Sequence, residues 1–137
     1  MDYLLDTNAC IALINGTPAT VRKNTRKTID SGARVFTSSI GLFELWYGVG
    51  KSARPQANAQ RVSIFLSGPV SVLPFDDADA QAAGSIRSAL EISGKPIAAY
   101  DLLIAGQAIA RQLTLITANV KEFSRIKGLK WEDWAKP

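Results

Sequence analysis

The chain has 137 residues, 47% of them hydrophobic, with 16 Lys and Arg against 12 Asp and Glu for a net charge of +4. That length suffices for one domain with its own core, while the absence of histidine and the lone Cys10 exclude imidazole acid/base chemistry, imidazole or cysteine-cluster metal sites and an internal disulfide. No apolar run reaches the roughly 18 residues of a membrane span and no signal-peptide pattern precedes the first strand, so no membrane partner and a cytoplasmic location are expected.

Met1 to Leu5 reads as a short apolar strand that ends on Asp6-Thr7-Asn8. A helix over Ala9 to Ile14 follows, stopped by Asn15-Gly16 and Pro18. In an open α/β sheet ligands sit at the carboxyl ends of strands, which makes Asp6 a candidate; a cap on the following helix explains the same residue. Thr20 to Ser31 is a basic amphipathic helix with Arg22, Lys23, Arg26 and Lys27 on its polar side. Arg34 to Thr37 is the second strand, and Ser38 or Ser39 caps a third helix, SSIGLFELWYGVG.

Glu44 sits in that helix among Ile40, Leu42, Phe43, Leu45, Trp46 and Tyr47, with little open surface expected around it. It stands too far from either serine for a capping box. A long side chain at the edge of a buried helix, reaching water, is the alternative to a functional acid. Lys51 to Pro55 reads as a basic turn and Gln56 to Ser67 as a fourth helix. With Trp46 and Tyr47, this helical pair suits either an arm packed on a second copy of the chain or ordinary core.

Val70 to Leu73 is a third strand, and Asp76-Asp77-x-Asp79 opens a helix that ends near Ser93-Gly94. Those acids complement the helix dipole and receive no chemical role. Ile97 to Ala110 is a helix apolar nearly all round with one charge, Asp101, in its opening turn. A carboxylate there must be capped, paired or bound to a cation, because desolvating a bare one costs several kcal/mol, order of magnitude. Leu113 to Thr117 is the fourth strand; Ala118 to Phe123 is a loop or short helix in which Asn119 lies just past a strand end and Glu122 faces out or caps. Leu129 to Trp131 adds an edge strand.

Strands separated by helices predict an α/β fold, a mostly parallel central sheet flanked by helices in a single domain spanning residues 1–137. Carboxylates at a strand end and at helix starts then converge at one edge of the sheet. No GxGxxG and no GxxxxGK[ST] occurs, so dinucleotide and Walker-type sites are unsupported.

Asp6, Glu44, Asp101 and Asn119 each stand at the end or in the first turns of an apolar element. MDYLLDTN, SSIGLFELWYG, KPIAAYDLLIAGQA and LITANVKEF together resemble, over essentially the whole chain, the PIN-domain family and within it the VapC ribonuclease toxins of toxin–antitoxin pairs. The resemblance implies a PIN-like three-layer sandwich. It implies that Asp6, Glu44 and Asp101 are the acidic metal-site residues, with Asn119 in a fourth position that is aspartate in many members. Asn8 and Thr117 fall where the family places supporting polar groups, and Gln107 stands where a histidine is frequent.

Mg²⁺ and Mn²⁺ take hard oxygen ligands, and Mg²⁺ binds through one or two carboxylates while keeping waters. Asp6 and Asp101 are therefore assigned as direct ligands, with Glu44 and Asn119 acting through water. The expected reaction is endoribonucleolytic cleavage by direct attack of metal-activated water, leaving 5′-phosphate and 3′-hydroxyl ends. The 2′-hydroxyl route lacks its customary histidine pair. The resemblance further implies a structured RNA substrate such as tRNA, a homodimer, a VapB-type antitoxin and contact with operator DNA only through that antitoxin. Arg22, Lys23, Arg26, Lys51, Arg54 and Arg87 are the candidates for RNA backbone contacts. The alternative is a catalytically weak or inactive PIN-like module that binds RNA or protein, for which Asn119 is the best support. A haloacid-dehalogenase-like hydrolase would need an acid where Asn8 stands.

Overall fold

The computed structural model describes residues 1–137. The elements run β1 (Tyr3–Leu5), α1 (Thr7–Asn15), α2 (Ala19–Asp30), β2 (Val35–Ser38), α3 (Ser39–Lys51), α4 (Pro55–Leu66), β3 (Ser71–Leu73), α5 (Asp77–Ile92), α6 (Ala99–Ala110), β4 (Thr114–Ile116), α7 (Val120–Phe123) and β5 (Trp131–Glu132). The strands form one sheet in the order β3-β2-β1-β4-β5, parallel at every pairing. No helix is long and apolar enough to cross a membrane.

Successive strand residues point to opposite faces, and this alternation builds two cores. Leu4 and Leu115 join Leu90 of α5, Leu102, Ile104, Ala105 and Ala108 of α6, and Phe123 of α7 on one face. Leu5 and Ile116 join Ala9 and Cys10 of α1, Leu45 of α3 and Val62 of α4 on the other. The result is the three-layer arrangement expected from the sequence. The chain leaves central β1 toward β2 and β3, then returns to the other side of β1 for β4 and β5. That reversal makes the carboxyl ends of β1 and β4 the topological switch point, where open α/β sheets bind ligands. Asp6 directly follows β1, and Thr117 directly follows β4.

Several boundaries shift in instructive ways. α1 begins at Thr7, two residues before the sequence reading placed it, because the Asp6 side chain accepts the Ala9 amide and caps the helix there. It stops at Gly16, whose φ of 75° suits glycine and whose missing Cβ leaves room for the Arg22 guanidinium. α3 absorbs Lys51 from the expected turn, and α4 begins on Pro55, whose lost N–H costs nothing at a first helical position. α6 begins at Ala99, two residues later than expected.

α6 is buried over Leu102 and Ile104 to Ala108, as its continuous apolarity requires. It crosses α5 at Gly106, where an added Cβ would fall 2.6 Å from Ala83 Cβ and 2.7 Å from its Cα and N. Backbone lies on the far side of that contact, so it cannot give way as a flexible side chain would. Gly106→Ala is therefore expected to lower stability by about 2 kcal/mol through overpacking, outweighing the roughly 1 kcal/mol that alanine gains over glycine in a helix. Urea denaturation checks this, and a variant as stable as the parent would show that the two helices separate freely.

Candidate metal centre

The switch point gathers side chains from four separate segments. Asp6 is 3% exposed, and its Oδ1 accepts the Ala9 amide at 2.8 Å. The capping reading of this residue thus holds, and because capping engages one oxygen it leaves the carboxylate beside the other acids. Burial raises the Asp6 carboxyl above its ordinary range; hydrogen bonds from Thr117 and Ala9 pull it back, while Glu44 and Asp133 add to the rise. Thr117 is itself buried, and its hydroxyl accepts the Asn119 amide at 2.9 Å. Its hydroxyl is also within hydrogen-bond reach of Asp6.

Glu44 reaches the centre from α3, where its Oε1 accepts the Thr7 hydroxyl at 2.5 Å. Gly41, one turn earlier, allows α3 to approach α1: a Cβ there would already touch the Thr37 and Thr7 hydroxyls at 3.4 and 3.5 Å. The expectation that Glu44 lies within closed apolar surroundings needs correction. Phe43 and Tyr47 are 52% and 61% exposed and Trp46 is exposed as well, so the outer side of α3 is open. Buried Leu45 alone anchors this part of the helix in the core.

Asp101 is not a helix cap. Ala98 occupies the cap position of α6, and Asp101 is the third helical residue, with no hydrogen bond acting on its carboxylate. Burial, followed by Glu122, Asp6 and Glu44, pushes its carboxyl up to about 6. No lysine or arginine contributes to the charges felt by Asp6 or Asp101. The cluster is an acidic centre without its own counter-charge.

Asn119 precedes α7, and its side-chain amide donates to Glu122 Oε2 at 2.7 Å. Glu122 Oε1 accepts the Ala98 amide at 2.8 Å. These two bonds hold the Glu122 carboxyl below its usual range, the Ala98 amide having the larger effect. Glu122 therefore caps the start of α6, one of the two roles the sequence allowed, and also places a fourth negative charge against Asp101. Sequence reasoning overlooked that second part. Its signal was the Asn119-x-x-Glu122 spacing, which sets two side chains on one face of a helical turn.

A divalent cation fits this donor set. All the facing groups are hard oxygens, the charges are uncompensated, and like charges would otherwise keep part of the cluster protonated. No three carboxylates form a set of shared direct ligands. An ion here would be held by one or two carboxylates, with water completing its shell.

Asn8 lies on α1 and lines a cavity that adjoins the centre rather than the centre itself. Gln107, fully buried, donates to Leu73 O, Pro74 O and Asp79 Oδ2, a packing role remote from the acids. The six basic candidates are spread over α2, the end of α3, the cap of α4 and α5. Arg22 donates to the carbonyls of Leu13 and Ile14 and closes the end of α1, Lys51 lies 5.0 Å over the Tyr47 ring, and Arg87 pairs with Glu91.

Comparison with known proteins agrees with this geometry. A family model described as "PIN domain" matches residues 3–129. The chain is 40% identical over 135 residues to the tRNA(fMet)-specific endonuclease VapC of Shigella flexneri, covering 98% of this chain and 99% of that protein. It is also 40% identical over 136 residues to ribonuclease VapC2 of Rickettsia felis, covering 99% and 100%. The crystal structure of VapBC2 from Rickettsia felis bound to a promoter DNA fragment superposes with a TM-score of 0.91 at 40% identity, covering 98% of this chain and 99% of the matched one. An acidic centre at the switch point of an all-parallel sheet, matched across nearly the full chain by these relatives, identifies the protein as a member of the PIN domain family, among its VapC ribonucleases.

Proposed function

We propose that this protein is a Mg²⁺- or Mn²⁺-dependent endoribonuclease, the toxin of a type II toxin–antitoxin pair, which cuts structured RNA in the cytoplasm. The observation that carries the metal dependence is the convergence of Asp6, Glu44 and Asp101, with no lysine or arginine acting on Asp6 or Asp101. When bound, the divalent ion supplies Lewis acidity toward water and toward the phosphoryl oxygens. Asp6 and Asp101 would hold it directly. Glu44 and Asn119 complete its surroundings through water, and Thr117 keeps Asp6 in register. Asn119 contributes an oxygen but no charge; Glu122, bonded to it, supplies the charge that asparagine lacks.

The Shigella flexneri relative is named for tRNA(fMet), so tRNA is the first substrate to test. The Rickettsia felis relative was crystallised as VapBC2 with promoter DNA, which supports a VapB-type antitoxin as partner and operator DNA as a ligand of the complex. Exposed Phe43, Trp46, Tyr47 and Tyr100, with Phe43 and Tyr100 in edge contact at 5.4 Å, support a homodimer. RNA backbone contacts fall to Arg22, Lys23, Arg26, Lys51, Arg54 and Arg87.

The test is incubation of the antitoxin-free protein with total tRNA and Mg²⁺ or Mn²⁺, with fragment ends mapped. Discrete cuts bearing 5′-phosphates, abolished by EDTA and restored by excess metal, are expected. Cutting that survives EDTA would overturn the metal dependence. Intact tRNA and intact ribosomal RNA, with no thermal shift on adding metal, would favour a binding module instead.

A further inference from the structure

A cavity of about 270 Å³ lies beside the acidic centre, between α1, the turn into α2, the end of β4 and the C-terminal tail. Ile11, Pro18 and Trp134 give it apolar walls, and Asn8, Thr17, Thr117 and Asp133 are its polar side chains. The tail that closes it is pinned in place. Asn24 donates to Trp134 O at 3.0 Å, Thr20 donates to Ala135 O at 2.7 Å, and the Trp134 indole donates to Glu132. Asp133 Oδ1 accepts the Ala135 amide at 2.9 Å, which leaves Oδ2 and a further lone pair on Oδ1 available. Thr117, whose hydrogen bond acts on Asp6, also lines the cavity, and the Asp133 charge is close enough to act on the Asp6 carboxyl, so the two sites adjoin.

We infer that this cavity binds an unpaired guanine next to the phosphate at the acidic centre, with Asp133 reading its Watson–Crick edge. The inference rests on the ribonuclease reading and adds a base subsite to it. A carboxylate at the rim repels phosphate, so the part of an RNA strand that enters is a base rather than the backbone. Apolar walls accept the faces of a planar ring that has left its stack, the usual mode of recognition for single-stranded RNA. Guanine alone presents two adjacent N–H donors, N1–H and the N2 amino group, to the paired acceptors of a carboxylate. Adenine and cytosine set an acceptor beside their one amino group, and uracil flanks its single N–H with two carbonyls that would face the carboxylate lone pairs.

The experiment is an NMR titration of the antitoxin-free protein with the four nucleoside 5′-monophosphates in Mg²⁺, run on the parent and on Asp133→Asn. Asparagine keeps the acceptor for the Ala135 amide, so the tail stays in place. Guanosine monophosphate is expected to shift the amides of Asn8, Ala118 and Ala135 and to bind about tenfold more tightly than uridine monophosphate. Asp133→Asn is expected to erase that preference. In the tRNA assay the same variant is expected to lose guanine selection beside the cut. Ala12→Leu, which narrows the cavity without touching a charge, is expected to weaken all four nucleotides together.

Equal binding of the four nucleotides, or shifts confined to residues outside the cavity, would overturn the inference. So would a preference that survives in Asp133→Asn, or an Asp133→Asn protein that loses only antitoxin binding. RNA cutting that depends on metal while guanosine monophosphate leaves the cavity amides unmoved sinks this inference alone. Intact RNA in the presence of metal, with guanine still bound there, sinks the nuclease reading alone.

Discussion

Asp101→Asn is expected to reduce RNA cleavage by about a hundredfold or more, the scale of losing a charged group that acts on the reacting phosphate. Asparagine matches aspartate in size, and the helix-dipole interaction it gives up in the first turn is worth only about 0.3–1 kcal/mol, so the fold stays intact. Ala98, not Asp101, caps α6, and no hydrogen bond is lost with the carboxylate. The variant should instead be more stable than the parent in EDTA at pH 8, because it removes a half-buried charge facing three others. The metal-induced rise in melting temperature should shrink at the same time.

The pH dependence follows the same physics. The folded-state carboxyl is pushed up to about 6 from an ordinary value of 3.8. Between those pH values the folded protein keeps a proton that the unfolded chain has lost, so metal-free stability falls as pH rises through that window. Asp101→Asn should flatten the slope, and thermal melts in EDTA from pH 4 to pH 8 will measure it. A variant that cuts tRNA at the parental rate, or an unchanged melting profile, would remove Asp101 from the centre.

The largest stability loss is expected at Asp79, a residue the sequence reading credited only with favouring a helix dipole. It is fully buried at the start of α5, where it completes a capping box with Asp76. It also accepts the Arg111 guanidinium at 3.1 Å and the Gln107 amide at 3.2 Å. Asp79→Ala leaves Arg111 with Asp76 and Pro74 O, and removes the reciprocal cap. Asp79 is buried while Arg111 is 30% exposed, so losing this half-buried pair together with the capping box costs about 3 kcal/mol, here a fall of roughly 10 °C in melting temperature for a chain of this size. Asp79→Leu with Arg111→Met should recover part of that, since apolar replacement of both partners of a buried ion pair is commonly neutral. A loss below about 1 kcal/mol on urea denaturation would mean that water already screens the pair.

Asp79 also shows where sequence reading stops. An acid in a first helical turn is explained by the dipole alone, and nothing local to Asp76-Asp77-x-Asp79 signals that the third of them meets Arg111, 32 residues away. Glu122 has the same history: the short spacing to Asn119 was visible, but its place against Asp101 depends on α7 packing beside the start of α6. Phe43, Trp46 and Tyr47 erred in the other direction. Apolar side chains around Glu44 suggested a closed helix, whereas the fold turns these aromatics outward.

What the sequence determined by itself was local and periodic. Short apolar runs set between helices specify a parallel sheet, near-continuous apolarity over Leu102 to Ala108 specifies a covered helix, and acids set in apolar elements single out Asp6, Glu44 and Asp101 as candidates. These features follow from hydrophobic patterning and chain direction, which neighbours in sequence carry. The tertiary structure decided the charge balance of the centre, the cap of α6, the Asp79–Arg111 pair and the cavity closed by the C-terminal tail. Each of these depends on groups from distant segments being desolvated together, and an energy that arises only when two surfaces exclude water leaves no mark on either surface alone.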